Sequence, residues 1–320
     1  MKIKVLLLVL VTAMMPTLAR ATAGQAWVGA SGNDSNTCSN RATPCLTLGG
    51  AYAQVDAGSQ ITCLDTAWKF QSTTFTITHS IVIDCEGTST ILSSNGTTLI
   101  TVNAGPTDVV IVRGIDFEGF MLSGFTRGVG GINFIGGGAL HVENCTFRNF
   151  TASGVRFSPS SAGKLFVSNS VFQHNGDASS GGGIVIQPSG AGTAVGVLNQ
   201  VRLENNTFGI AFDGTGSTNG INMTITDSLI GGNTHDGIIA TTPSNGAPIG
   251  VMVTNTKSVN NAFGIRSLGP NVTVRVKNSD VIGNGAGLSF GSAGALLTTG
   301  NNMVRANAVD GAFSGPVALQ

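Results

Sequence analysis

Three ionisable residues recur at one place in a repeated phrase: Asp84, Arg113 and Glu143, with Glu86, Asp116, Glu118, His141 and Arg148 within a few positions of them. If the phrase stacks, they form an acid–base–acid ladder, and Glu118 lies over Arg148 as a second pair. Carboxylates gathered in this way have three uses. They pair with arginine as a surface salt ladder, they hold a cation such as Ca²⁺, or one of them acts as a general acid or base toward a saccharide. Asp84, Arg113, Asp116, Glu118, His141 and Glu143 are therefore the candidate catalytic or binding residues. No other constellation is as dense. His235 and Asp236 adjoin, while Asp213 and Asp227 stand isolated among Gly and Thr. Glycoside hydrolysis needs two carboxyl groups about 5–10 Å apart.

What would position these groups is the phrase itself. Asn144, Asn169, Asn199, Asp227, Asn255, Asn278 and Asn301 anchor seven copies, spaced 25, 30, 28, 28, 23 and 23 residues apart. Four residues before each anchor stand Leu140, Leu165, Val195, Met223, Val251, Val274 and Leu297. Two before stand Val142, Val167, Val197, Ile225, Val253, Val276 and Thr299. Six after come Asn175, Asn205, Asn233, Asn261, Asn284 and Asn307, and pairs such as Gly209-Ile210 and Gly237-Ile238 close the phrase. Apolar residues that alternate with polar ones have the period of a half-buried strand.

Carrying the rule back to Gly114, Cys85 and Cys63 gives about ten turns, with no room for a helix between strands. Repeats of this length mean a solenoid, a propeller or an array. Propeller blades need more residues, and leucine-rich repeats need Leu at positions that lack it here. The expected fold class is all-β: a parallel β-helix of about ten turns, its strands stacked in register at about 4.8 Å. Asn suits the anchor because it tolerates left-handed backbone angles at a bend. The stacked anchors are expected to hydrogen-bond to one another as a buried structural ladder. Insertions at 119–131 and 158–163 lengthen loops without disturbing the stack, and the tail 310–320 covers the far end.

Residues 1–23 have the features of a signal peptide. Lys2 and Lys4 precede an apolar run at 5–15, and Ala21-Thr22-Ala23 offers a small-x-small cleavage site. The run is too short to cross a bilayer. The expected product is secreted or periplasmic, with no membrane span. Residues 24–60 make a lead-in and cap, and 61–320 the β-helix. Within the lead-in, 47–55 fits a short capping helix with Thr47 as N-cap.

Charged residues are 10% of the chain, and 16 Lys and Arg balance 16 Asp and Glu. Nothing here draws the protein to nucleic acid or an anionic membrane, and a monomer is expected. The five Cys suit an oxidising compartment. Cys38 and Cys45 flank a short polar loop and are a candidate disulfide. Cys63 and Cys85 occupy the anchors of adjacent turns, whose separation lies inside the range that a disulfide spans. Cys145 is left as a buried free thiol. Aromatics are only 6%; Phe147 and Phe172 read as core, and Tyr52 and Trp68 as exposed enough to line a groove with the acidic ladder.

The opening Trp27-Val28, the segment Gly32-Asn33-Asp34-Ser35-Asn36-Thr37-Cys38, then Thr43-Pro44-Cys45-Leu46-Thr47-Leu48 and Gly58-Ser59-Gln60-Ile61 lead into the repeats. Together they resemble secreted right-handed parallel β-helix proteins of the pectate-lyase-like superfamily. The resemblance covers nearly all of the chain beyond the signal peptide. It implies the fold and not an activity, because the superfamily mixes lyases, glycoside hydrolases, esterases, epimerases and adhesins. Members that hydrolyse pectin carry Asn-Thr-Asp, Asp-Asp, Gly-His-Gly and Arg-Ile-Lys segments, and none occurs here. Thr234-His235-Asp236-Gly237 and Ile265-Arg266-Ser267 are the nearest approaches. Two readings follow. The favoured one is a non-catalytic extracellular solenoid, structural or glycan-binding, with a polysaccharide or cell-surface glycan as partner and no cofactor beyond an optional Ca²⁺. The alternative is a polysaccharide lyase or glycoside hydrolase that acts on an acidic polysaccharide through the acidic ladder.

Overall fold

A computed structural model describes residues 24–65, 68–71, 73–88, 90–119, 126–177 and 179–317. The signal-peptide expectation for 1–23 lies outside the described residues, as do 120–125 of the first insertion. The alternating phrase folds into short strands, each parallel to its neighbours, in three sheets. The first sheet has 12 strands from Gln25–Val28 to Gly315–Pro316, the second 10 from Trp68–Gln71 to Met303–Arg305, and the third 9 from Phe75–Ile77 to Ala286–Gly291. The 9-stranded sheet closes slightly fewer complete turns than the ten expected. The first sheet begins inside the lead-in, where Gln25–Val28 pairs with Ser59–Cys63.

The cap is small. Its helix spans only Leu48–Tyr52, since Gly49 and Gly50 are poor helix formers. Thr47 Oγ1 accepts the Gly50 N–H at 2.9 Å. Asp34 holds the segment by accepting the Leu46 N–H, the Thr47 N–H and the Thr47 hydroxyl, each at 2.8 Å. Cys38–Cys45 and Cys63–Cys85 are disulfides with Cα separations of 5.2 and 4.7 Å; the second ties two adjacent strands of the first sheet across one step of the stack. At the other end Gly315–Pro316 pairs with Leu297 and Thr298, and Phe313 packs against the core. No described helix is long and apolar enough to cross a membrane.

Inside, like residues stack on like. Phe117, Phe147 and Phe172 are fully buried, with ring centroids 4.4 and 4.8 Å apart. Two turns break the minus-four, minus-two rule. In the turn of Asn199 the strand register sets Gly196 and Leu198 beside Leu165 and Val167, so Val195 and Val197 face outward. In the turn of Asn301 the inward residues are Leu296 and Thr298, which pair with Val274 and Val276. Each of these turns is one residue out of step at its bend. In the first, Gln200 and not Asn199 takes the left-handed angle, at φ 53°.

The anchors are bends and not a buried ladder. Asn144, Asn169, Asp227, Asn255, Asn278 and Asn301 have φ between 46° and 56° and are exposed to solvent. Asn255 donates to Asp227, the single bond between anchor side chains among the described residues. The ladder lies further along the phrase. Asn175, Asn206, Asn233, Asn261, Asn284 and Asn307 form a chain in which each Nδ2 donates to the next Oδ1, at 2.8–3.2 Å. Each Oδ1 also accepts the backbone N–H of the preceding Asn. Asn206 replaces the expected Asn205, by the same one-residue slip. The chain ends where Asn307 Nδ2 donates to Asp310 at 2.9 Å. The closing glycines make room for it: a Cβ on Gly237, Gly264 or Gly287 would stand 2.8, 3.0 or 2.6 Å from the Nδ2 of Asn261, Asn284 or Asn307.

Two outcomes test this account. Asn233→Ala should cost on the order of 3 kcal/mol, because several buried groups lose partners at once. Asn169→Ala at an exposed bend should cost only about 1 kcal/mol for its left-handed backbone; urea-melt midpoints will rank the two. Cys145 is free and fully buried, and burial pushes its thiol up to about 12. It should resist alkylation in the folded protein at pH 8 and take one label on unfolding without reductant.

Candidate functional site

The ionisable residues sit where the first sheet bends into the second. Strand register stacks Asp84 beside Arg113 and Arg113 beside Glu143 on the outer face of the first sheet. Arg113 Nε donates to Glu143 Oε2 at 2.7 Å, and that bond holds the guanidinium above its ordinary pKa. One strand further on, Glu118 lies beside Arg148. Arg148 reaches Asp116 at 3.0 Å and Glu118 at 3.4 Å. Glu118 also accepts from Asn149 Nδ2 at 2.8 Å. The ladder is thus built, and most of its carboxylates are already engaged.

Between the two rows an open groove of ≈ 470 Å³ is lined by Glu86, Gly87, Gly114, Ile115, Asp116 and Asn144. Its floor depends on Gly114, whose φ is +67° and where a Cβ would come within 2.6 Å of the Glu86 backbone. Asn144 Nδ2 donates to Glu86 across the groove. Among the described residues no group of three or more His, Cys, Asp or Glu side chains is gathered as a metal site.

His141 occupies the next outward position of the first sheet, beside Ile111 on one strand and Phe166 on the other. Its ring stacks on Phe166, centroids 4.7 Å apart and planes 25° from parallel. Burial lowers its pKa below the ordinary 6.5 against the opposing pull of Glu143, whose Oε1 is 3.9 Å away. The ring is therefore neutral at pH 7. The same column continues through Val82, Ile111 and Val197, all half-buried. It makes a flat apolar strip with Arg113 and Glu143 along one edge. Phe166 carries no ionisable group, and its place three before an anchor puts it on the outer face.

Other sequence candidates do not join this site. The Tyr52 hydroxyl accepts the Thr78 and His79 N–H groups at 2.7 and 3.1 Å, and its ring stacks on His79 at 4.3 Å, so it braces the cap. The expectation for the Trp68 ring lies outside what the structure describes. Asp213 accepts from Gln187, and Asp227 from Thr226. Asp236 is fully buried in the third sheet and pairs with Arg266 at 2.5 Å. Burial pushes its carboxyl up while Arg266 opposes. Arg266 in turn lies over the Phe263 ring at 4.2 Å. In sequence Asp236 and Arg266 stand in separate segments; stacking pairs the buried carboxylate with a half-buried guanidinium.

With this geometry in hand, the chain can be set beside known proteins. The family described as "Right handed beta helix region" matches residues 130–309, more than half of the chain. The chain belongs to the right-handed β-helix family. No curated protein matches it. Among solved structures, this β-helix resembles the pectate lyase Pel9A, with TM-score 0.52 and 16% identity over 90% of this chain and 80% of that one. It also resembles a GH136 lacto-N-biosidase from Eubacterium ramulus, with TM-score 0.49 and 11% identity over 92% and 67%. A rhamnogalacturonan lyase aligns with TM-score 0.41 and 14% identity over 86% and 75%. At these identities the likeness is one of fold.

The neutral His141 ring carries a pH signature. Because its folded pKa lies below 6.5, its contribution to stability is complete above pH 6.5 and fades as the pH falls through that value. Thermal melts from pH 8 to 5 should show wild type losing more stability than His141→Gln over the acidic half of that range. Parallel curves would refute the assignment.

Proposed function

We propose that this protein is a non-catalytic, extracellular glycan-binding solenoid that takes neutral saccharide along the outer face of the first sheet and its corner with the second. The observation that carries this reading is the His141–Phe166 stack, set beside the Arg113–Glu143 pair, with His141 and Glu143 on one strand. A pyranose ring has an apolar C–H face and an edge of hydroxyls. The apolar strip to which the two rings belong suits the face, and fixed charged groups with lone pairs and N–H donors suit the edge. Asn144 and Asp116 add polar groups in the adjoining groove.

Charge argues for a neutral ligand. Asp84, Glu86, Asp116, Glu118 and Glu143 outnumber Arg113 and Arg148 around the groove, and an excess of carboxylate repels a polyanion. The pairing of Glu143, Asp116 and Glu118 with arginine favours recognition over turnover. A general acid or nucleophile must be free to exchange a proton or attack. The two disulfides fit an oxidising, extracellular setting.

The test is a panel of neutral and acidic polysaccharides with the purified chain, with and without added Ca²⁺, scored for both binding and product. Binding of a neutral glycan without product is expected. Glu143→Ala and Phe166→Ala should each weaken it about tenfold or more, near 1.4 kcal/mol, with melting curves that stay cooperative. New reducing ends or unsaturated product would replace this reading with the enzymatic one.

A further inference from the structure

The third sheet carries a second cavity, on a different face from the ladder. It has a volume of ≈ 210 Å³, and its lining includes Thr98, Val129, Gly130, Asn133, Ser153 and Arg156. Register explains the hollow. Gly130 sits between Thr98 and Ser153 on neighbouring strands, and Asn133 sits beside Arg156. With no side chain at Gly130, the space between the two hydroxyl residues is left open; a Cβ there would stand 3.5 Å from Thr98 Oγ1.

The polar atoms at this cavity are not satisfied from within. Ser153 is 2% exposed, and its Oγ has no hydrogen-bond partner. Asn133 Oδ1 is likewise buried and unpartnered. Each such group costs about 1–3 kcal/mol when left unmade, which makes a ligand that completes it favourable. Arg156 is exposed at the rim. Its Nη2 donates to the neutral Gln187, which itself donates to Asp213 at 2.6 Å. The carboxylate is therefore one residue removed, and the guanidinium has no direct ion pair among the described residues.

We propose that this cavity is a binding subsite for a hydroxylated ligand that carries an oxyanion, a sugar residue with a carboxylate or a sulfate ester. Arg156 pairs with the oxyanion at the rim. Inside, the Ser153 hydroxyl donates to or accepts from a ligand hydroxyl, the Asn133 amide oxygen accepts from one, and Thr98 offers a further donor. The inference shares with the proposed function the class of ligand, but uses another sheet, other residues and the opposite charge.

Isothermal titration of the full chain with glucuronate, glucose 6-sulfate and glucose tests it. Either anion should bind at least tenfold more tightly than glucose, and which anion wins identifies the source of the oxyanion. Arg156→Ala, at an exposed position, should abolish that preference, with Arg156→Lys intermediate. Ser153→Ala should weaken binding without lowering the melting temperature, since it removes a hydroxyl that has no partner in the free protein. Equal affinity for glucose, binding of neither anion at millimolar concentration, or an unchanged preference in Arg156→Ala would overturn the proposal. The neutral-glycan reading is scored on Glu143→Ala and Phe166→Ala with different ligands, so each can fail alone.

Discussion

The structure rests on a chain of side-chain amides. Parallel stacking brings the same position of every turn to the same place about 4.8 Å above the last, so a buried polar residue must be able to bond to a copy of itself. Asn is suited to this because its amide carries both donor and acceptor. From Asn175 to Asn307 each side chain gives to the next turn and receives from the one before. A run of that kind needs an end that only accepts, and Asp310 supplies it. The glycines that close each phrase follow from the same demand, since a Cβ there would occupy the space of an amide. With the inner contour fixed, length can vary only in loops, as the uneven spacing of the anchors shows.

Much of this could be read from the sequence, because a strand with one buried face writes its orientation in alternation. Alternation misleads where both parities are apolar. Val195, Val197 and Leu198 are apolar on both parities, and a slip of one residue sends a side chain to the other face; Gly196 and Leu198 are the pair that faces inward. Asn205 and Asn206 pose the same ambiguity one strand later, and only the second joins the ladder. Leu296 and Leu297 repeat it near the end. The anchors are bends, as their residue type implies, but the expectation of a buried ladder falls on them for another reason. Asn is favoured both at left-handed bends and in buried amide ladders, and its identity alone does not separate the two uses.

The candidate site shows the same division. Stacking of Asp84, Arg113 and Glu143 follows from register, and register follows from the repeat. Whether acids stay free or pair is decided by side-chain reach, and Arg148 proves long enough to meet both Asp116 and Glu118. The Asp236–Arg266 pair and the hollow at Gly130 join residues about 30 apart whose types are unremarkable one by one. Neither has a local signature, and both appear once the third sheet is assembled.

A parallel β-helix separates its two tasks by parity. Inward residues must satisfy the stack, so they are interchangeable among proteins that share it; outward residues answer only to solvent and ligand. That is why the resemblance to a solved structure survives at 16% identity while carrying no information on chemistry. It also lets neighbouring faces of one rod differ in character at little energetic cost. Here one corner concentrates paired carboxylates beside an apolar strip, and another face presents an arginine without a direct counter-ion among the described residues, over an unpartnered hydroxyl and an unpartnered amide oxygen. The stack imposes neither arrangement. Function in this chain is therefore to be sought in the outward columns, where a single substitution can change what is bound without disturbing what holds the turns together.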